Sequence, residues 1–443
     1  VDDARAVGAK PVLVTPLTRR QWDKDNPSKI ESSLEPYAGE VRKIATEKNV
    51  PLVDLHAHSI ELCEKLGREK CYEFSPIKME DGTNAYDGTH LNGKGRVMFG
   101  RLVVEGLRKA VPELSSVLLA EPRDENPEIA EDKFDAIVST DVSADYKDLQ
   151  TAINAAPDNG TRPFRILLKP GIYQGPFIVP REKCRVELLG ENASNTILTY
   201  NLNVHETNAA TDLRFTGTGV VLLGDDFCAE NITFQNTSGD HGQALALRVD
   251  GDRAVFKHCR MLGWQDTLML NDGRDYFTNC YIEGRVDFIY GSATAVFERC
   301  EIHSKNGGHV TAANTPKEKP FGLVFMNCKL TGDPHPWISP AEISAKTNSA
   351  PMADLGRPWR SYASVTYLNC EMGTHIKPEG WNNWRNPTNE LTARFAEYNS
   401  TGPGANPGKR VKWARQLTKE EGDKITVESV LAGNDGWNPN AEF

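Results

Sequence analysis

The chain has 443 residues, 39% of them hydrophobic and 25% charged, with a formal net charge of −10. That length makes two domains the default expectation, and the acidic balance argues against a nucleic-acid partner, which would favour a basic patch. No apolar run approaches the roughly 18 residues a membrane span needs, and nine cysteines spread over so long a chain exclude a disulfide-stapled mini-fold.

The start, at Val1, has no initiator methionine and no charged-then-apolar signal pattern, which reads as a processed form whose location its own start does not reveal. Residues 12–14 (Val-Leu-Val) predict a buried strand, 34–47 an amphipathic helix, 51–55 a second strand and 95–110 a further helix. This alternation over residues 1–118 indicates parallel α/β structure. The pair His56 and His58 is a bare HxH and a weak metal signal. The charged, proline-bearing stretch 121–127 marks a linker over residues 119–133.

From residue 134 to 443 long helical periodicity gives way to short apolar strands separated by Gly, Asn and Asp turns. A phrase recurs there: Val255-Phe256-Lys257-His258-Cys259, Tyr276-Phe277-Thr278-Asn279-Cys280, Val296-Phe297-Glu298-Arg299-Cys300, Val324-Phe325-Met326-Asn327-Cys328 and Thr366-Tyr367-Leu368-Asn369-Cys370. Its cysteines are 21, 20, 28 and 42 residues apart. One coil therefore takes slightly over twenty residues, and the last gap fits two. So short a repeat buries its apolar face only by stacking on its neighbours. Aromatic and cysteine ladders should run through the interior, and asparagine before the cysteine suits a turn of unusual backbone angles. The spacing excludes CxxC metal patterns among these cysteines.

Four phrases place polar groups inside apolar strands: Gln243-Ala244-Leu245, Gln265-Asp266-Thr267-Leu268, Asp287-Phe288-Ile289-Tyr290-Gly291 and Gly356-Arg357-Pro358-Trp359. Gln243 and Gln265 are 22 residues apart, and Asp266 and Asp287 are 21 apart. Each interval is one coil, and residues one coil apart stand at the inter-strand spacing of roughly 4.8 Å. A column of Gln, Gln-Asp and Asp on one face follows. Two carboxyls that close cannot both ionise cheaply, so one stays charged beside an arginine while the other keeps its proton. The glutamine amides supply donors for an oxyanion, and Trp359 a platform for a sugar. On residues alone this is a hydrolase or lyase acting on a saccharide.

In this order the four phrases resemble the signature of pectin methylesterases, carbohydrate esterase family 8, over residues 134 to 440. Pro170-Gly171-Ile172-Tyr173 and Glu397-Tyr398-Asn399-Ser400 add to the resemblance. It implies an all-β main domain, a right-handed parallel β-helix, acting on methylesterified homogalacturonan without a metal or other cofactor. It further implies Asp287 as nucleophile and Asp266 as the acid that becomes the base. Gln265 and Gln243 would hold the oxyanion, Arg357 would orient Asp287, and Trp359 would pack on the sugar. The sequence departs from the family pattern at Met269 and Tyr290, both expected along the substrate cleft, and at Gly175. A lyase would favour a calcium-binding acidic cluster, and a mere pectin-binding helix would not need this column intact.

Over residues 11–110, Pro11-Val12-Leu13-Val14-Thr15-Pro16, Val53-Asp54-Leu55 and Asp87-Gly88-Thr89-His90-Leu91-Asn92 resemble the second half of an SGNH-type rhamnogalacturonan acetylesterase. The resemblance implies a partial α/β segment in which Asp87 and His90 are the remnant of a Ser-His-Asp triad. The serine motif and its oxyanion partners are missing from this chain, so the segment is expected to be inactive. By analogy with such fusions, a periplasmic or secreted bacterial setting is expected. Of the Asn-x-Ser/Thr triplets at Asn192, Asn231 and Asn236, Asn231 falls in a strand-like run.

Overall fold

The computed structural model describes residues 1–6, 8–75, 77–80, 83–91, 93–114, 134–139, 144–206, 216–333 and 352–440. The chain divides into two compact units, Val1–Ile129 and Ala130–Phe443. The linker expected over residues 119–133 lies outside the described residues. Among the described residues no helix is long and apolar enough to cross a membrane.

In the larger unit each short strand pairs in parallel with the strands one coil before and after it. One face is an eleven-stranded sheet running from Ala136–Val138 to Arg415–Gln416. The other two faces share a thirteen-stranded sheet, because the strands Tyr281–Gly291 and Glu301–Ala313 run round the corner between them. The first half of Tyr281–Gly291 pairs with Arg260–Leu262 and its second half with Leu268–Leu270. Three parallel faces wound in successive coils make a parallel β-helix, and its interior is one continuous core.

The recurring phrase explains the core. Phe256, Phe277, Phe297, Phe325 and Tyr367 stack with successive ring centroids 4.6, 4.8, 4.6 and 4.5 Å apart, the inter-strand spacing of a sheet. The five cysteines are buried and unpaired, and each of the last four reaches a carbonyl of the coil before it. The residue before each cysteine is left-handed: His258, Asn279, Arg299, Asn327 and Asn369 have φ between 52° and 54°. Asparagine adopts this conformation most readily. Histidine and arginine adopt it here as well, so the stacked turn imposes the geometry.

Several expectations need correction. The 42-residue gap is one coil, because Leu323–Met326 pairs directly with Ser364–Leu368. The extra length falls between Lys329–Gly332 and Ala353–Pro358. Asn231 is in a left-handed bend, φ 58°, between Cys228–Glu230 and Thr233–Asn236, and not in a strand. Short helices follow the linker, which leaves the loss of long helical periodicity standing. Leu149–Ala155, capped by Asp148, buries Leu149, Ala152 and Ile153 in the core. The helices Lys419–Asp423 and Val427–Leu431 each begin with a capping box, and the second packs Val430 and Leu431 against Val255, Tyr276 and Val296.

The smaller unit has a two-stranded parallel sheet, Leu13↔Leu52 and Val14↔Val53, with helices Glu35–Glu47, Leu55–Leu66 and Gly93–Ala110. The last lies close on the sheet, since a Cβ at Gly106 would collide with Val53. The second strand stops at Val53 rather than at Leu55. Asp54 accepts the Ala57 N–H and caps the following helix, so His56 and His58 lie in its first turn. Two residues apart on a helix, they face different directions, which removes the metal reading. An antiparallel hairpin, Ile77–Glu80 with Thr83–Tyr86, interrupts the parallel pattern.

Candidate active site

In-register pairing of Leu245–Val249, Leu268–Leu270, Tyr281–Gly291, Glu301–Ala313 and Ala353–Pro358 aligns Arg248, Met269, Tyr290, Ala312 and Arg357 in one row. Just upstream, Gln243 bridges to Gln265 and Gln265 to Val286. The Asp266 N–H donates to the Val286 carbonyl at 3.0 Å, so Asp266 and Asp287 occupy matching places in adjacent coils. Both are left-handed, with φ 65° and 52°. Aspartate is among the few residues that tolerate this, and such conformations gather at functional sites. The strand bearing Asp287 also shifts register between Gly284 and Ile289, an irregularity of the kind that re-aims a side chain.

A cleft of about 200 Å³ is lined by Gln243, Gln265, Asp266, Asp287, Tyr290, Ala312, Arg357, Trp359 and Trp384. Asp287 is buried. The Arg357 fork donates to both its oxygens, from Nε at 2.8 Å and from Nη2 at 2.6 Å, the bidentate geometry that favours a charged carboxylate. No such fork among the described residues holds Asp266. Burial first, and then the charge of Asp287, push its carboxyl up to about 7 against the downward pull of Arg357. The Tyr290 phenol is raised by burial and by the charge of Asp266. Its ring meets that of Trp359 edge-on, with centroids 5.8 Å apart. Met269 stands beside Tyr290 in the row and packs in the same apolar cluster.

The column thus sets an arginine-paired carboxylate beside a second carboxyl whose proton is held more tightly than usual, with two amide side chains next to them. It can supply a nucleophile, a proton and oxyanion donors within one cleft. Among the described residues no group of three or more His, Cys, Asp or Glu is placed to hold a metal. Trp384 and Ala312 were not anticipated from the sequence. Gly356 bridges to Trp381, so coil counting carried one step past Arg357 reaches the segment that bears Trp384.

In the smaller unit His90 Nδ1 lies 2.7 Å from Asp87 Oδ2. The N–H groups of Thr89 and His90 donate to Asp87 Oδ1, and Arg20 Nη2 donates to the carbonyls of Asp87 and His90. Asn92, from the same phrase, lies outside the described residues.

Comparison with known proteins agrees with this architecture. A family model described as Pectinesterase matches residues 135–434. Pectinesterase 31 of Arabidopsis thaliana is 40% identical over 302 residues, covering 66% of this chain and 91% of that protein. The solved pectin methylesterase from carrot aligns with a TM-score of 0.62 and 31% identity, over 68% of this chain and 94% of that one. A pectin methylesterase solved in complex with a hexasaccharide aligns with a TM-score of 0.58 and 28% identity, over 70% and 99% of the two chains. On the family match and these likenesses together, the chain belongs to the pectinesterase family.

Proposed function

We propose that this pectinesterase removes the C6 methyl esters of homogalacturonan through a covalent aspartyl intermediate. Asp287 attacks the ester carbonyl carbon, and the Gln243 and Gln265 amides donate to the oxyanion that forms. As the tetrahedral species collapses, the carbon–methoxy bond breaks and the Asp266 proton goes to the departing oxygen, releasing methanol. The product is an acyl–Asp287 anhydride. Asp266, now a carboxylate, takes a proton from water, and the hydroxide attacks the acyl carbon. Asp287 leaves as carboxylate and the polymer as free acid, so the cycle closes with no proton unaccounted for.

The observation that carries this reading is the Arg357 fork on Asp287, one coil from a second aspartate that the fork does not reach. Trp359 offers its ring to the sugar, and Tyr290 with Met269 sets which neighbouring residues fit. The substrate partner is methylesterified homogalacturonan. The setting in keeping with such a polymer is outside the cell, the bacterial periplasm or medium on the analogy of the first hundred residues.

The test is methanol release from highly methylated pectin. Asp287→Ala should lose at least about 10³-fold, as removal of a covalent nucleophile does. Release unchanged in that variant would place the chemistry elsewhere.

A second reading concerns the smaller unit, residues 1–118, as part of an SGNH-type acetylesterase fold. The Asp87–His90 hydrogen bond and the short parallel sheet support it. In this reading Asp87 and His90 are two members of a Ser-His-Asp triad, and acetate release from acetylated pectin compared with that of His90→Ala tests it.

A further inference from the structure

We infer that Trp384 is a positioning residue, whose indole face clamps the Arg357 guanidinium and so holds the fork that orients Asp287. The centre of that guanidinium lies 3.7 Å from the Trp384 ring centroid. The other arginine–ring pairs among the described residues span 4.9 to 5.9 Å. Arg357 is thus fixed in two ways. Its edge is committed to Asp287, and one flat face is covered. An edge-bonded guanidinium can still swing about its terminal torsions, and a ring lying on its face removes that freedom.

The local backbone is built around this placement. Trp384 and Arg385 are both left-handed, with φ 58° and 55°, a conformation that is costly for bulky residues and persists only where the surroundings impose it. The Trp384 N–H donates to Asn382 Oδ1 at 2.8 Å. The Asn382 N–H donates to the Gly356 carbonyl at 3.1 Å, next to Arg357 in the chain. The segment carrying the indole is therefore tied to the strand carrying the guanidinium.

The inference rests on Asp287 being the nucleophile, which Asp287→Ala tests separately. The experiment is a double-mutant cycle on methanol release, with Trp384→Ala, Trp384→Phe and Trp384→Leu in the native and Arg357→Lys backgrounds. Trp384→Ala should lower kcat about tenfold with KM within about twofold, the loss of one cation–π contact of ordinary strength. Phe, which keeps a π face, should restore most of the rate, and Leu should not. In the Arg357→Lys background, where no planar fork exists, the further loss should shrink to under about twofold. Thermal melting of each variant separates rate effects from misfolding. If Ala does not fold, the Phe–Leu contrast decides. The inference fails if the full loss persists in the Arg357→Lys background or if Leu rescues as well as Phe. It fails also if only KM changes, which would leave Trp384 as a sugar platform.

Discussion

Asp266 and Asp287 are the same side chain in the same left-handed conformation one coil apart, yet their surroundings treat their protons differently. The Arg357 fork favours the charged form of Asp287, whereas burial and the neighbouring charge hold the proton on Asp266 up to about pH 7. If Asp266 starts the cycle protonated, kcat should decline as pH rises through about 7. Asp266→Asn should lose this basic limb and fall by about 10²–10⁴-fold in rate. A pH–rate profile of both proteins checks it, and a limb that survives in the Asn variant would assign the proton to another group. The folded state binds this proton more tightly than the unfolded chain, so the associated stability is full below the ordinary aspartate range and is lost as pH rises through about 7. Above that range the Asn variant should therefore be the more stable protein. The intervals of 21 and 22 residues made this pairing legible in the sequence. Which aspartate keeps its proton depends on burial and on where the Arg357 fork points, and neither has a signature in the spacing.

Among the elements, the coil is the structural unit and the stacked aromatic column is what repeats. Phe297 is fully buried between Phe277 at 4.8 Å and Phe325 at 4.6 Å. Phe297→Ala should leave a cavity inside a column that cannot collapse without shifting two sheets, at a cost of about 3–5 kcal/mol. Urea unfolding monitored by circular dichroism measures it, and a loss under about 1 kcal/mol would mean the column is not the main support. The recurring phrase pointed to this ladder directly, but the 42-residue gap misled. Counting cannot distinguish an extra coil from a loop inserted into one coil. Only the pairing of Leu323–Met326 with Ser364–Leu368 decides, because stacking holds the strands together wherever the connecting chain leaves the corner.

For the whole molecule, the cleft and all its lining residues belong to the unit Ala130–Phe443, which has its own continuous core. A fragment of residues 130–443 should fold alone and release methanol within about twofold of the full chain, as expected of a self-sufficient domain. The full chain in turn should release no acetate from acetylated pectin in a manner that His90→Ala abolishes. A fragment without activity would make the smaller unit part of the catalytic machinery, and His90-dependent acetate release would show a working acetylesterase.

The sequence by itself determined the repeat, the interior ladders and the one-coil intervals that bring Gln243, Gln265, Asp266 and Asp287 together. In a parallel β-helix a fixed sequence interval is a fixed step in space, so chain distance reads as geometry. That relation fails where the coil is interrupted. The strands Tyr281–Gly291 and Glu301–Ala313 that round a corner, the insertion after Gly332 and the approach of Trp384 to Arg357 were decided only by the tertiary structure. Each depends on which segments of different coils come together, and local periodicity does not carry that.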